Sequence, residues 1–248
     1  MRISGNIYSL ASVYNNFGFF NKPKNNDAKK PQATSQEKGG IYVTPLVNTK
    51  KQEDTISRAL NELKKVEFST NDIIYMQNLG VNMPFKNGLE AVDYLNNKHI
   101  DIAYANFSND SVHACLDTTN EVPVVLINSN YKDLATFSDI LALSEAMFHE
   151  TGHAKDNDSI NSIQEEIDCL ALNVLAHQFY KKTYPDVFKN QTSPLYSEGV
   201  NLYDKLFFDF DLNKAALKQR VSEKYGYLNT ASPYHQASLM AREIKEIS

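Results

Sequence analysis

Phe137-Ser-Asp-Ile-Leu-Ala-Leu-Ser-Glu-Ala-Met-Phe-His149-Glu150-Thr151-Gly152-His153-Ala154 is apolar nearly all round at helical spacing, with Ile140, Leu141, Leu143, Ala146, Met147 and Phe148 spread over every face. A helix of that kind is buried. The trio His149, Glu150 and His153 interrupts it, and polar groups inside a buried element need partners that offset their desolvation. On a helix, residues four apart lie above one another. The two imidazoles can therefore bind one metal ion, while Glu150, turned by about 100°, reaches a water on it. With 6 His in 248 residues, the pattern His-Glu-x-x-His arises by chance about once in a hundred such chains. One zinc ion is the expected cofactor.

Catalytic zinc takes a third protein ligand and keeps one position open. The next segment, Ile163 to Tyr180, again reads as a buried helix, and it opens with Gln164-Glu165-Glu166-Ile167-Asp168. At 100° per residue, Glu166 shares a polar wedge with Asn173 and His177, whereas Glu165 and Asp168 fall among Leu172, Leu175 and Ala176. Glu165 is thus the expected ligand with Asp168 as the alternative, and Asp168 otherwise orients a liganding imidazole from behind. A competing reading makes Glu165 the far end of a capping box, Ser162-Ile-Gln-Glu165. A ligand six residues beyond His153 would be Ser159, which is no donor for zinc. Asp156 reads as a helix-end residue, and His99 and His113 as residues away from the metal. Gly152 costs about 1 kcal/mol inside a helix; close approach by another backbone would justify it, and loose packing is the alternative. Tyr234 and His235, or Tyr196 and Tyr203, are the candidate oxyanion donors.

Working outward, Ile56, Ala59, Leu60 and Leu63 recur at helical spacing behind Asp54 or Thr55 as a cap. A shorter helix runs from Leu89 to Leu95 after an Asn87-Gly88 turn. Ile100 to Phe107, Ser111 to Leu116 and Val122 to Asn128 read as strands of a small, mostly antiparallel sheet. Ile41 to Val47 reads as an edge segment around Pro45. Amphipathic patterns cover 196 to 208, 213 to 224 and 234 to 246. Strands then helices give an α+β order. The domain spans 41–248, with a sheet and active-site-helix lobe (41–156) and a helical lobe (157–248).

Residues 1–40 read as a disordered, low-complexity tail, since Asn21 to Gly40 is almost wholly Asn, Lys, Pro, Gln, Ser and Gly. The opening stretch lacks the apolar core of a secretory signal, and no run suffices for a membrane span. The expected location is cytoplasmic, or outside by a leaderless route. With 25 Lys+Arg against 30 Asp+Glu, the formal net charge is -5, which excludes a basic nucleic-acid binder. The two cysteines, Cys115 and Cys169, are too few for a disulfide framework.

Between residues 100 and 180 the chain resembles the zincin superfamily of metallopeptidases, and within it the gluzincin branch, in which the two-histidine helix is followed by a helix bearing a glutamate ligand. The resemblance implies a zinc-dependent metalloprotease, in which Glu150 acts as general base on a metal-bound water and a peptide or protein is the substrate. It also implies an edge strand along which an extended substrate pairs, at the position of Val122 to Asn128. The chain departs from the branch's helix pattern, Glu-x-x-Ala-Asp-x-x-Ala: aligning Asp168 and Ala171 with it puts Gln164 at the ligand place. That departure motivates an alternative, a catalytically inactive zincin scaffold that binds protein. A zinc amide hydrolase that is not a peptidase is the third reading.

Overall fold

The computed structural model describes residues 7–9, 54–107, 113–118, 122–133, 136–156, 162–189, 207–208 and 212–224. The expected segment 41–47, the amphipathic pattern over 196–208 apart from its last two residues, the pattern over 234–246, and Tyr196, Tyr203, Tyr234 and His235 lie outside them.

The chain is α+β. Helix α1 (Thr55–Leu63) begins at Asp54, whose side chain makes no cap bond and instead accepts the Tyr104 hydroxyl at 3.0 Å. Helix α2 (Thr70–Asn78) escaped the periodicity reading because only Met76 on it is fully buried, so it carries no apolar stripe. Its signal is a capping box, Ser69 with Asp72. Helix α3 (Gly88–Asn97) is capped by Asn87, whose side chain accepts from the Glu90 amide at 2.8 Å. The Asn-Gly pair is therefore a helix start and not a free turn. A Cβ on Gly88 would stand 1.8 Å from the Leu63 carbonyl oxygen, so only glycine lets α3 meet the end of α1.

Strands β2 (Asp101–Ala105), β3 (Ala114–Asp117) and β4 (Val124–Asn128) form a mixed sheet, extended by β1 (Ile7–Ser9) in the order β1-β3-β4-β2. The sheet is mixed: β3 is antiparallel to both β1 and β4, and β2 runs parallel to β4 (Asp101 opposite Val124 to Ala105 opposite Asn128), so two of its three pairings are antiparallel. One expectation is corrected here. The segment 122–128 supplies an interior strand and not an edge. From Val125 to Asn128 it is buried at every position, as a strand covered on both faces must be, and Pro123 precedes the ladder where its missing N–H costs nothing. Of residues 1–40 the structure describes Ile7, Tyr8 and Ser9, which pair antiparallel with Asp117, Leu116 and Cys115.

Helices α4 (Phe137–Asp156) and α5 (Ile163–Thr183) pack along each other at the centre, and α4 also lies against α1 and β3. Leu170, Leu172, Val174 and Leu175 on α5 are all buried; each such side chain contributes roughly 1.5–3 kcal/mol relative to exposure. The short α6 (Pro185–Lys189) and α7 (Lys214–Lys224) complete the helical part. Among the described residues, no helix is long and apolar enough to cross a membrane.

Candidate metal centre

His149, Glu150 and His153 lie in the last two turns of α4, and all three are buried to 1% exposure or less. The helical rise stacks the two imidazoles, as the four-residue spacing demands. Their Nε2 atoms face each other at 3.0 Å. Each ring is fixed from behind by α5. His149 Nδ1 meets Asn173 Oδ1 at 2.7 Å, and the Asn173 amide orientation is set because its Nδ2 donates to the Glu145 carbonyl at 2.9 Å. His153 Nδ1 meets Glu165 Oε1 at 2.6 Å. Both Nδ1 atoms thus donate to oxygen acceptors, and the two Nε2 atoms meet at hydrogen-bond distance, where a shared proton or a cation would sit.

The carboxylate facing both Nε2 atoms is that of Glu166, with Oε2 at 3.7 Å from His149 Nε2 and Oε1 at 3.6 Å from His153 Nε2. Among the described residues, His149, His153 and Glu166 are the group whose ligand atoms all lie within 4.8 Å of one another. Donors held about 2.0–2.1 Å from a tetrahedral zinc stand roughly 3.3 Å apart; the two Nε2 atoms are 3.0 Å apart, and each Glu166 oxygen lies 3.6–3.7 Å from one of them. Two nitrogens and one carboxylate are a donor set that suits zinc.

Glu165 and Asp168, the two carboxylates expected from the sequence, do not face the imidazole Nε2 atoms. Glu165 closes the capping box, accepting from the Ser162 amide through Oε2 while its own amide donates to Ser162 Oγ, and its other oxygen holds His153. One carboxylate does both jobs: it caps the helix and takes the orienting role assigned to Asp168. Asp168 points elsewhere, accepting from the Asn82 amide, the Asn82 side chain and Gln164 Nε2. Gln164 also donates to the Gly80 carbonyl, away from the imidazoles, so its alignment with a ligand position has no counterpart in space. Glu166 was set aside because it shares a polar wedge with Asn173 and His177. That wedge is turned inward: the three residues are 0%, 0% and 1% exposed and meet the polar side of α4. His177 continues the line, with Nδ1 3.1 Å from Glu145 Oε1. The signal that could have found Glu166 is the apolar pattern that runs nearly all round α5. A helix buried all round turns its polar wedge to a polar partner, and the only such partner nearby in sequence is the trio on α4.

Glu150 is fully buried, and neither of its oxygens has a hydrogen-bond partner of full geometry. Burial pushes its carboxyl up to about 8; His153 and the Leu116 backbone on β3 pull it down, and Glu166 and Glu165 push it up. Burial alone would lower His153, but Cys169, Glu165 and Glu166 hold it well above the ordinary imidazole value. Burial thus dominates at Glu150, whereas Cys169 and the two glutamates outweigh it at His153.

Gly152 has a packing cause. A Cβ there would lie 2.8 Å from Cys169 Sγ and 3.1 Å from Leu172 Cδ1, so the glycine sets how closely α5 can bring Glu165 and Glu166 to the imidazoles. The remaining sequence candidates lie apart: His99 is exposed beyond α3 at φ 55°, Asp156 ends α4 and is exposed, and His113 stacks on Tyr131 with ring centroids 5.0 Å apart. Comparison of the chain with protein-family models, with curated proteins and with solved structures gives no match.

Proposed function

We propose that the chain is a zinc-dependent hydrolase of the zincin kind that cleaves peptide bonds, with His149, His153 and Glu166 as metal ligands and Glu150 as general base. The observation that carries the reading is the convergence of two imidazole Nε2 atoms and one carboxylate beside a buried carboxylate that no neighbour satisfies. A binding module has no use for that fourth group; a hydrolase needs it to take a proton from water and return it to the leaving amine. Zinc in this set would supply Lewis acidity and a lowered pKa of water.

The chain's own groups supply the rest. Asn173 and Glu165 keep each Nδ1 protonated and each Nε2 available. Glu150 holds its carboxylate at the imidazole pair, where a cation would favour the ionised form that a base requires. β3 runs beside Glu150, and its outer edge is where an extended peptide would bring a main-chain carbonyl to the site.

The reading is tested with a quenched fluorescent peptide library incubated with the purified chain, with and without chelator. Chelator-sensitive cleavage that disappears in Glu150→Gln supports it. Metal binding with no cleavage of any peptide favours the inactive-scaffold alternative, and release of amines from small amides alone favours the non-peptidase hydrolase.

A further inference from the structure

Strand β3 has β4 on one side and β1 on the other. Its middle residue, Leu116, is the one whose backbone faces the Glu150 carboxylate, and Tyr8 stands opposite Leu116 in the β1–β3 register. Both β3 and β1 lie against α4, the helix that carries the imidazoles. The chain therefore lays three of its own residues, in extended antiparallel form, along the strand that passes the candidate base. A peptide aligned for attack would need the same row of β3 amides and carbonyls. Two strands cannot occupy one edge.

We propose that Ile7–Ser9 blocks the peptide edge of this site in cis, so that the intact chain is held latent until the segment leaves β3. The inference rests on the reading of the site as one that acts on peptides. A three-residue pairing contributes little stability by itself, but tethering gives it an effective concentration on the order of millimolar against any peptide in solution. The block is thus strong against dilute substrate and still displaceable by loss of the segment or by a partner that captures it.

The test uses the full-length zinc-loaded chain carrying Glu150→Gln, so that binding is read without turnover, and a fluorescein-labelled decapeptide with the sequence of residues 3–12. Two variants weaken the pairing: Tyr8→Pro, and Ile7→Pro with Ser9→Pro. Neighbouring residues in an antiparallel strand alternate in facing the partner, so one of the two removes the ladder amides. The expected result is at least a 10-fold tighter decapeptide affinity in that variant, and a matching rise in peptide cleavage when Glu150 is restored. Equal affinity in all three chains overturns the proposal. Tighter binding without cleavage upholds the block and removes the hydrolytic reading; unchanged binding with cleavage in every chain does the reverse. Should the proline variants misfold, hydrogen exchange on the unsubstituted chain decides: amides of residues 7–9 exchanging as fast as in the free decapeptide overturn the block, and slowed exchange that is lost with excess decapeptide supports it.

Discussion

His149 Nε2 and His153 Nε2 stand 3.0 Å apart, and both rings have already committed Nδ1 to an acceptor on α5. Two nitrogen lone pairs at that distance repel unless positive charge lies between or beside them. Glu166 adds an acceptor-only carboxylate to the same space. The arrangement is stable with a proton shared among these groups or with a metal ion, and the donor set matches zinc.

The groups behind the imidazoles differ in kind from the ligands. Asn173→Ala and Glu165→Gln should each weaken zinc affinity about 10 to 100-fold, because they loosen ring orientation and leave the donors in place. Asp168→Asn should leave zinc affinity unchanged and lower only the melting temperature, since its bonds run to Asn82 and Gln164. Competition titration with a chromophoric chelator measures all three, and an Asp168→Asn chain that loses zinc would restore Asp168 as ligand.

Glu150→Gln should keep both fold and zinc while lowering peptide cleavage by several orders of magnitude, because only proton transfer is removed. Zinc content and turnover measured on the same preparation separate the effects. Unchanged turnover would exclude Glu150 as the base.

Much of this site was legible in the sequence. The four-residue spacing placed the imidazoles of His149 and His153 side by side, and the all-round apolar pattern placed their helix in the core. The Ser162–Glu165 capping box was legible too. Which carboxylate faces the imidazoles was not, because a helical wheel gives directions around α5 but not which direction meets α4, so the wedge of Glu166, Asn173 and His177 has no assigned neighbour in the sequence. Register within the sheet was hidden for a similar reason: Val124 to Asn128 shows its strand character locally, whereas its place between β3 and β2 depends on pairings across the chain. Helix α2, with Met76 alone fully buried, shows that periodicity finds buried helices and misses peripheral ones.

Gly152→Ala sets two effects against each other. Alanine gains about 1 kcal/mol of helix propensity, while overpacking against Cys169 Sγ and Leu172 Cδ1 costs typically 1–3 kcal/mol. The net expectation is a destabilised chain with weaker zinc binding, since α5 is pushed from the imidazoles. Adding Cys169→Ala should recover most of the loss in urea unfolding. No recovery would mean that Cys169 is not the obstacle.

Burial pushes the His113 imidazole down to about 3, against about 6.5 in an unfolded chain. Between those values the unfolded state binds the extra proton, so the stability tied to neutral His113 is complete above pH 6.5 and is lost as pH falls towards 3. His113→Phe keeps a ring on Tyr131 and removes the titration. Its urea midpoint should fall less between pH 7.5 and pH 5 than that of the unsubstituted chain, a difference worth on the order of 1–2 kcal/mol. Equal falls would contradict a buried neutral histidine.

The most direct test of the account is metal content by mass spectrometry on protein purified without chelator, compared with His153→Ala and Glu166→Gln. The account predicts about one zinc per chain in the unsubstituted protein, none in His153→Ala, and a large loss in Glu166→Gln with the helical circular dichroism retained. Full zinc in Glu166→Gln, or equal metal in all three proteins, would contradict it.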